Sequence, residues 1–300
     1  MDILQAIILG IVQGLTEFIP ISSTAHLVFA SRWTEIYHGD AEKITATIAV
    51  IQLGTLAAAL VYFASDIFSI SVAFVRDHWN LVTRKRRMWF SGSNGKRPIW
   101  LSEEAWLGWL IIIGSIPIGT LGLYFKKYIE GPATKNLWII ATMMIAIAVL
   151  LAFAEFVGSQ RKELRDFGIL DSLAVGFAQV LALIPGASRS GSTIMGGLFA
   201  GQKREAAARF SFLLMIPAVT ASGLLELKEA IQKNLLSSDD FVALGIGTLV
   251  AGVIGYLTIW FLLAFLKKNS TAIFIIYRII VGGIILVLLW QGILSPLVNI

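Results

Sequence analysis

Ile184-Pro185-Gly186-Ala187-Ser188-Arg189-Ser190-Gly191 interrupts a long apolar region with serines, glycines and an arginine, and Ile19-Pro20-Ile21-Ser22-Ser23-Thr24-Ala25-His26 does the same near the start of the chain. Each follows an apolar run holding one glutamine, Gly10-Ile11-Val12-Gln13 in the first case and Gly176-Phe177-Ala178-Gln179 in the second. Each then enters another short apolar stretch, 25–31 and 191–201. The halves of each broken region, 3–19 and 25–31 or 170–184 and 191–201, are roughly half a membrane thickness at about 1.5 Å per residue. Both regions therefore read as re-entrant hairpins, entering and leaving on one side. The alternative is a pair of kinked helices that cross.

The rest of the chain sets the medium. Of 300 residues, 57% are hydrophobic and only 14% charged, which is oilier than soluble domains, and the mean hydropathy is +0.79. Stretches near Ile44 to Phe63, Ala105 to Phe125, Leu137 to Val157, Ala206 to Leu227, Phe241 to Leu266 and Ala272 to Trp290 each meet the rule of about 20 apolar residues per crossing helix. The sequence thus predicts an all-α polytopic membrane protein with six transmembrane helices plus two re-entrant helix pairs. The first residues lack a basic leader pattern, so a cleaved signal peptide is not expected. There is no cysteine, which excludes disulfides, thiolate nucleophiles and cysteine metal sites. The sequence pI near 9.5 fits basic loops beside anionic lipid rather than nucleic acid.

Charge gives the orientation. With hairpins assumed, the side of the long loop after the first span holds Arg76, Arg84, Lys85, Arg86, Arg87, Lys96, Arg97, Arg161, Lys162, Arg165, Lys203, Arg204, Lys267 and Lys268. The other side holds the smaller set Arg32, Lys43, Lys126, Lys127, Lys135, Lys228 and Lys233, so the first side reads as cytoplasmic. Three spans separate the hairpins, which then enter from opposite faces. That is an inverted-topology repeat within one membrane domain, 1–300: one unit about 1–127, a linking helix about 136–157, a second unit about 166–268, and a final helix about 272–291. In such architectures broken helices meet near the midplane with half-helix N-termini facing anionic groups. The basic stretch from Arg76 to Arg97 either docks on anionic lipid or a partner, or is a solvated loop that fixes orientation.

Polar residues at membrane depth are costly and mark sites. Gln13 and Glu17 share a helical face. Ser22, Ser23 and Thr24 begin a half-helix, where they either cap it or, with its free amides, bind phosphate. His26 follows Ser23 by three residues on the same face, the simplest nucleophile-and-base pairing, although a lone histidine is more often a packing residue. In the second break Arg189 suits bidentate phosphate binding, with Ser188, Ser190, Ser192 and Thr193 around it. Gly186 and Gly191 let backbone approach a ligand, or serve helix packing, and Pro185 stops the preceding helix. Pairing of Arg189 with Glu17 is the structural alternative. The sum is two opposed anion cradles, suited to phosphoryl chemistry on an amphiphile. Tyr277 and Arg278 lie in the last span, where the arginine is either a site residue or a side chain that snorkels.

At these residues the chain resembles the undecaprenyl-diphosphate phosphatase family of the bacitracin-resistance type. Gln13-Gly14-Leu15-Thr16-Glu17 followed by Pro20-Ile21-Ser22-Ser23-Thr24-Ala25-His26 is similar to that family's first signature. Pro185-Gly186-Ala187-Ser188-Arg189-Ser190-Gly191-Ser192-Thr193 is similar to its second, and Gln52-Leu53-Gly54, Phe210-Ser211-Phe212-Leu213-Leu214 and Tyr277-Arg278 extend the likeness. The resemblance implies hydrolysis of undecaprenyl diphosphate to the monophosphate that carries cell-wall precursors, with bacitracin resistance on overexpression. It implies a bacterial inner-membrane location, a magnesium or calcium requirement and a site open to the outer face. It implies Ser23 as nucleophile and His26 as its proton partner, or His26 activating water. Glu17 orients the histidine or, with Gln13, holds the metal. Arg189 clamps the phosphates, with Ser22, Thr24, Ser188, Ser190, Thr193 and Gly186 binding substrate. Expected partners are the polyprenyl diphosphate lipid and the membrane, with no nucleic acid, and a homodimer is compatible. Position 13 is glutamine where many members have glutamate, and the basic loop is longer than usual. A polyprenyl-phosphate transporter or flippase is the competing function, since inverted repeats with broken helices are also a transporter layout. A non-catalytic scaffold leaves the intramembrane charges unexplained.

Overall fold

The computed structural model describes residues 1–83, 97–98, 100–125, 136–233, 235 and 240–296. The basic run Arg84-Lys85-Arg86-Arg87, the following Gly92 to Lys96, and Lys126, Lys127 and Lys135 lie outside the described residues. The helices are α1 Ile3–Thr16, α2 Ser23–Trp33, α3 Ala41–Tyr62, α4 Ala64–Val82, α5 Glu103–Tyr124, α6 Leu137–Val157, α7 Ile169–Val180, α8 Arg189–Phe199, α9 Arg204–Gln232, α10 Asp240–Leu266 and α11 Ala272–Trp290. Among them α3, α5, α6, α9, α10 and α11 are long and apolar enough to cross a membrane, matching the six stretches read from the sequence. The protein is a multi-pass membrane protein.

α1 and α2 have 14 and 11 residues, α7 and α8 have 12 and 11. At about 1.5 Å per residue each is too short for a bilayer core of about 30 Å. The halves of each pair pack on one another, so both regions are helical hairpins. Asp2 starts α1 with a capping box, its carboxylate accepting from the Gln5 amide at 2.7 Å while Gln5 accepts from the Asp2 amide at 2.9 Å.

Without a hydrophobic drive between helices in lipid, close backbone approach holds the bundle. A Cβ on Gly10 of α1 would lie 2.4 Å from the Gly247 carbonyl of α10, and one on Gly176 of α7 would lie 2.4 Å from the Gly114 carbonyl of α5. Gly10 and Gly176 hold the same place in the two related stretches. Each hairpin's first helix thus leans on the second crossing helix of the other half. Likewise α3 packs on α9, and α6 on α11. This exchange of partners is consistent with the inverted repeat read from the sequence.

One segment differs from the sequence expectation. Residues 64–82, read as the start of a long loop, form α4, which packs on α5. The Asp77 carboxylate accepts from the Ser102 amide at 2.6 Å, at the entry to α5, and the Trp109 indole donates to His78 Nε2 at 3.1 Å. Phe68, Val72, Val75, Trp79 and Val82 form an exposed apolar stripe on the other face. Their four- and three-residue spacing is helical, but Asp66, Arg76 and Asp77 lower the hydropathy of any window through them.

Candidate active site

The chain leaves α1 at Glu17 and re-enters helix at Ser23; it leaves α7 and a short 3₁₀ turn at Leu183 and re-enters at Arg189. Phe18 anchors the first turn by an edge-on contact with Phe212 of α9, ring centroids 5.3 Å apart. Ser22 and Ser188, the residues before α2 and α8, both have positive φ, 78° and 70°. Non-glycine residues there cost of order 1–3 kcal/mol and persist where surroundings over-determine them. Each also caps its helix, Ser22 Oγ accepting from the Ala25 amide at 3.4 Å and Ser188 Oγ from the Gly191 amide at 3.1 Å. Gly186 is required on two counts: its φ is 92°, and a Cβ would lie 2.2 Å from the Ile140 carbonyl.

The two turns meet. Arg189 Nη2 donates to Glu17 Oε1 in an ion pair, and Ser190 Oγ donates to the Ile19 carbonyl at 3.2 Å. Glu17 also accepts from Gln13 Nε2 at 3.0 Å and from Gln52 Nε2 at 3.3 Å. Beside the pair lies a cavity of about 720 Å³ lined by Glu17, Ser23, Thr24, Gln52, Gly186, Ser188 and Arg189. Its remaining wall is largely apolar, with Ile118 and Leu123 of α5, Leu183, and Leu225 of α9. The first turns of α2 and α8 both border it, so amide groups and positive helix ends flank the same space.

The structure brings together Glu17, Ser23, Thr24, Gly186, Ser188 and Arg189. No hydrogen bond to a described residue holds the Ser23 hydroxyl. Other residues singled out in the sequence stand behind the cavity. Gln13 is buried, hydrogen bonded to Glu17 and 3.3 Å from Thr55 Oγ1. Ser22 is buried beneath its own helix cap. Ser190 is buried and tied to Ile19 and, at 3.2 Å, to Ser188. Thr193 is fully buried, with its hydroxyl 2.7 Å from the Arg189 carbonyl and 2.5 Å from Ser211 Oγ. His26 does not line the cavity: Nδ1 is 2.7 Å from the Ser22 carbonyl and Nε2 is 2.7 Å from the Tyr277 hydroxyl. The expected Ser23–His26 pairing is therefore not made. Spacing placed both on one face, but the ring turns back along the helix to the carbonyl four residues before it.

Gln52 belongs to the cavity although sequence reading reached it only through the family likeness. Its signal was available: like Gln13, it is an amide inside an apolar span. Arg278 is completely buried and donates to five carbonyls, those of Met143, Met144, Pro20, Gly186 and Ala187, at 3.0 to 3.3 Å. It neither snorkels nor faces the cavity. It fastens both turns to α6.

The family model for bacitracin resistance protein BacA matches residues 6–284. The chain belongs to the BacA family. Among curated members, the undecaprenyl-diphosphatase of Syntrophobacter fumaroxidans is 50% identical over 97% of this chain and 98% of its own length. That of Chloroherpeton thalassium is 46% identical over 97% and 98%. The undecaprenyl-diphosphatase 2 of Streptomyces coelicolor is 42% identical over 97% and 96%. The BacA match takes in both turns of the broken helix pairs and everything between them.

Proposed function

We propose that this protein is an undecaprenyl-diphosphate phosphatase of a bacterial inner membrane, cleaving the lipid diphosphate to undecaprenyl phosphate and inorganic phosphate. The observation that carries this reading is the cavity between the two turns. It joins an arginine, a hydroxyl at a helix N-terminus and a second helix N-terminus to an apolar wall, which suits a charged headgroup on a greasy chain.

In this reading Arg189 and the first-turn amides of α2 and α8 hold the phosphate oxygens, and they stabilise the charge that grows on the bridging oxygen as it leaves. The Ser23 hydroxyl attacks the terminal phosphorus. A bond forms from Ser23 Oγ to phosphorus, the hydroxyl proton passes to a phosphate oxygen of the substrate, the bond from phosphorus to the bridging oxygen breaks, and undecaprenyl phosphate departs with that oxygen and the bonding electron pair. Water then cleaves the phosphoserine to free phosphate. Arg189 must exchange part of its contact with Glu17 for phosphate when substrate enters.

Magnesium or calcium fits the donors present. Glu17 supplies a carboxylate beside the cavity, and the adjacent Gln13 Oε1 is a buried oxygen without a hydrogen-bond donor. No group of three or more histidine, aspartate or glutamate side chains with metal-site spacing occurs among the described residues, so phosphate and water would complete the shell of a hard cation. Bound there, such an ion neutralises charge on the diphosphate.

The test is phosphate release by the purified protein. Undecaprenyl diphosphate should be hydrolysed, Ser23→Ala should lose most turnover, and radiolabel from the terminal phosphate should map to Ser23. Lipid movement across vesicles without phosphate release would support the flippase reading instead.

A further inference from the structure

Tyr277 and His26 lie 251 residues apart and stack, with ring centroids 5.7 Å apart and planes 13° from parallel. The Ser22 carbonyl, 2.7 Å from His26 Nδ1, only accepts, so Nδ1 carries the hydrogen. In the neutral ring Nε2 is then a lone pair, and the Tyr277 hydroxyl at 2.7 Å donates to it. Neither ring nitrogen is left for Ser23. The carbonyl that His26 holds belongs to the residue at φ 78°, immediately before Ser23. A peptide kept in that conformation needs an external hold. Arg278, the next residue along α11, holds the carbonyls of Pro20, Gly186 and Ala187. The final helix thus holds the first turn directly at Pro20 and through His26 at Ser22, and the second turn at Gly186 and Ala187.

We propose that Tyr277 is a positioning residue for hydrolysis: by donating to Nε2 it fixes the His26 tautomer whose Nδ1–H holds the Ser22 carbonyl, and so fixes the backbone that presents Ser23 to the cavity. His26 acts through Ser22 rather than by taking a proton from substrate or Ser23. The same logic operates where an outer hydrogen bond fixes the tautomer of a metal-binding histidine. The inference rests on the phosphatase reading for its kinetic consequence, but its hydrogen-bond relay has a readout of its own.

The kinetic test uses His26→Asn, His26→Gln, His26→Ala and Tyr277→Phe in the full-length purified protein. The asparagine amide nitrogen falls near the place of Nδ1 and can keep the bond to Ser22; the glutamine amide reaches the place of Nε2 and cannot. Asn at position 26 should retain kcat within about tenfold of the unsubstituted protein, while Gln and Ala lose about a hundredfold or more. Tyr277→Phe should lower kcat by about tenfold with KM little changed, and this loss should vanish in the His26→Asn background, as a shared path requires. Asn no better than Ala, or a Tyr277→Phe loss undiminished on Asn, overturns the proposal. Independently of turnover, ¹⁵N spectra of the protein, which has three histidines, should show one Nδ1–H tautomer for His26 that becomes a mixture in Tyr277→Phe. An unaltered tautomer in that variant also overturns it. An unsubstituted protein that releases no phosphate defeats the phosphatase reading instead, and the spectra still decide the relay.

Discussion

Arg189 and Glu17, 172 residues apart in sequence, form an ion pair between the turns of the two broken helix pairs. Glu17 is nearly completely buried, and its other contacts are the neutral amides of Gln13 and Gln52. A buried pair is weak evidence of net stabilisation, but removing one partner leaves a charge uncompensated, at a cost of about 3–5 kcal/mol. Arg189→Ala should therefore lower the unfolding temperature in detergent as well as abolish turnover. Glu17→Gln/Arg189→Gln should recover most of the stability and none of the activity. The split separates the pair's structural role from its chemical one.

Among the described residues Arg278 donates to backbone carbonyls, not to carboxylates. Arg278→Met keeps the length and removes every donor, leaving several buried acceptors bare at about 1–3 kcal/mol each before relaxation. Thermal unfolding should show this variant among the least stable, with Arg278→Lys intermediate because one ammonium cannot reach all the carbonyls.

Close helix crossings give a contrast between glycines. A Cβ on Gly54 would lie 2.0 Å from the Thr248 carbonyl, whereas one on Gly245 meets nothing within 4 Å. Gly54→Ala should force α3 from α10 and destabilise by about 1–3 kcal/mol or more. Gly245→Ala should be neutral or stabilising by up to about 1 kcal/mol. Unfolding midpoints of the two variants in one detergent check the pair.

Asp77 lies in α4, outside the crossing helices. Burial raises its carboxyl, but hydrogen bonds from Ser102 and then the neighbouring Arg76 more than offset this, so its pKa is held below the usual carboxylate value. A depressed folded pKa stabilises above the unfolded value of about 3.9 and loses that contribution as pH falls through the lower folded value. Acid titration of stability should show a loss below about pH 4 that is smaller in Asp77→Asn.

Much of this architecture was legible because membrane depth makes polarity conspicuous. The crossing helices follow from apolar length, and the hairpin breaks follow from Pro20-Ile21-Ser22-Ser23 and Pro185-Gly186-Ala187-Ser188 inside oily runs. The convergence of Glu17, Ser23 and Arg189 follows from two half-helices expected to meet. Spacing could not say which way His26 turns, because that depends on Tyr277 at the far end of the chain. Nor could it distinguish Ser188, which borders the cavity, from Ser190 two residues on, which is buried against Ile19. Helix α4 was lost to a length-and-hydropathy criterion, although its apolar positions keep helical spacing.

The lipid's diphosphate is expected to occupy the cavity between the two turns. Thr24 is exposed there, and the chain has no cysteine, so Thr24→Cys gives a single reactive thiol. The decisive measurement is its labelling rate by a water-soluble thiol reagent, with and without ligand. Undecaprenyl diphosphate at about ten times its dissociation constant should slow labelling about tenfold, and undecaprenyl alcohol should not. A labelling rate indifferent to the diphosphate, in protein that still hydrolyses it, would place the headgroup outside this cavity.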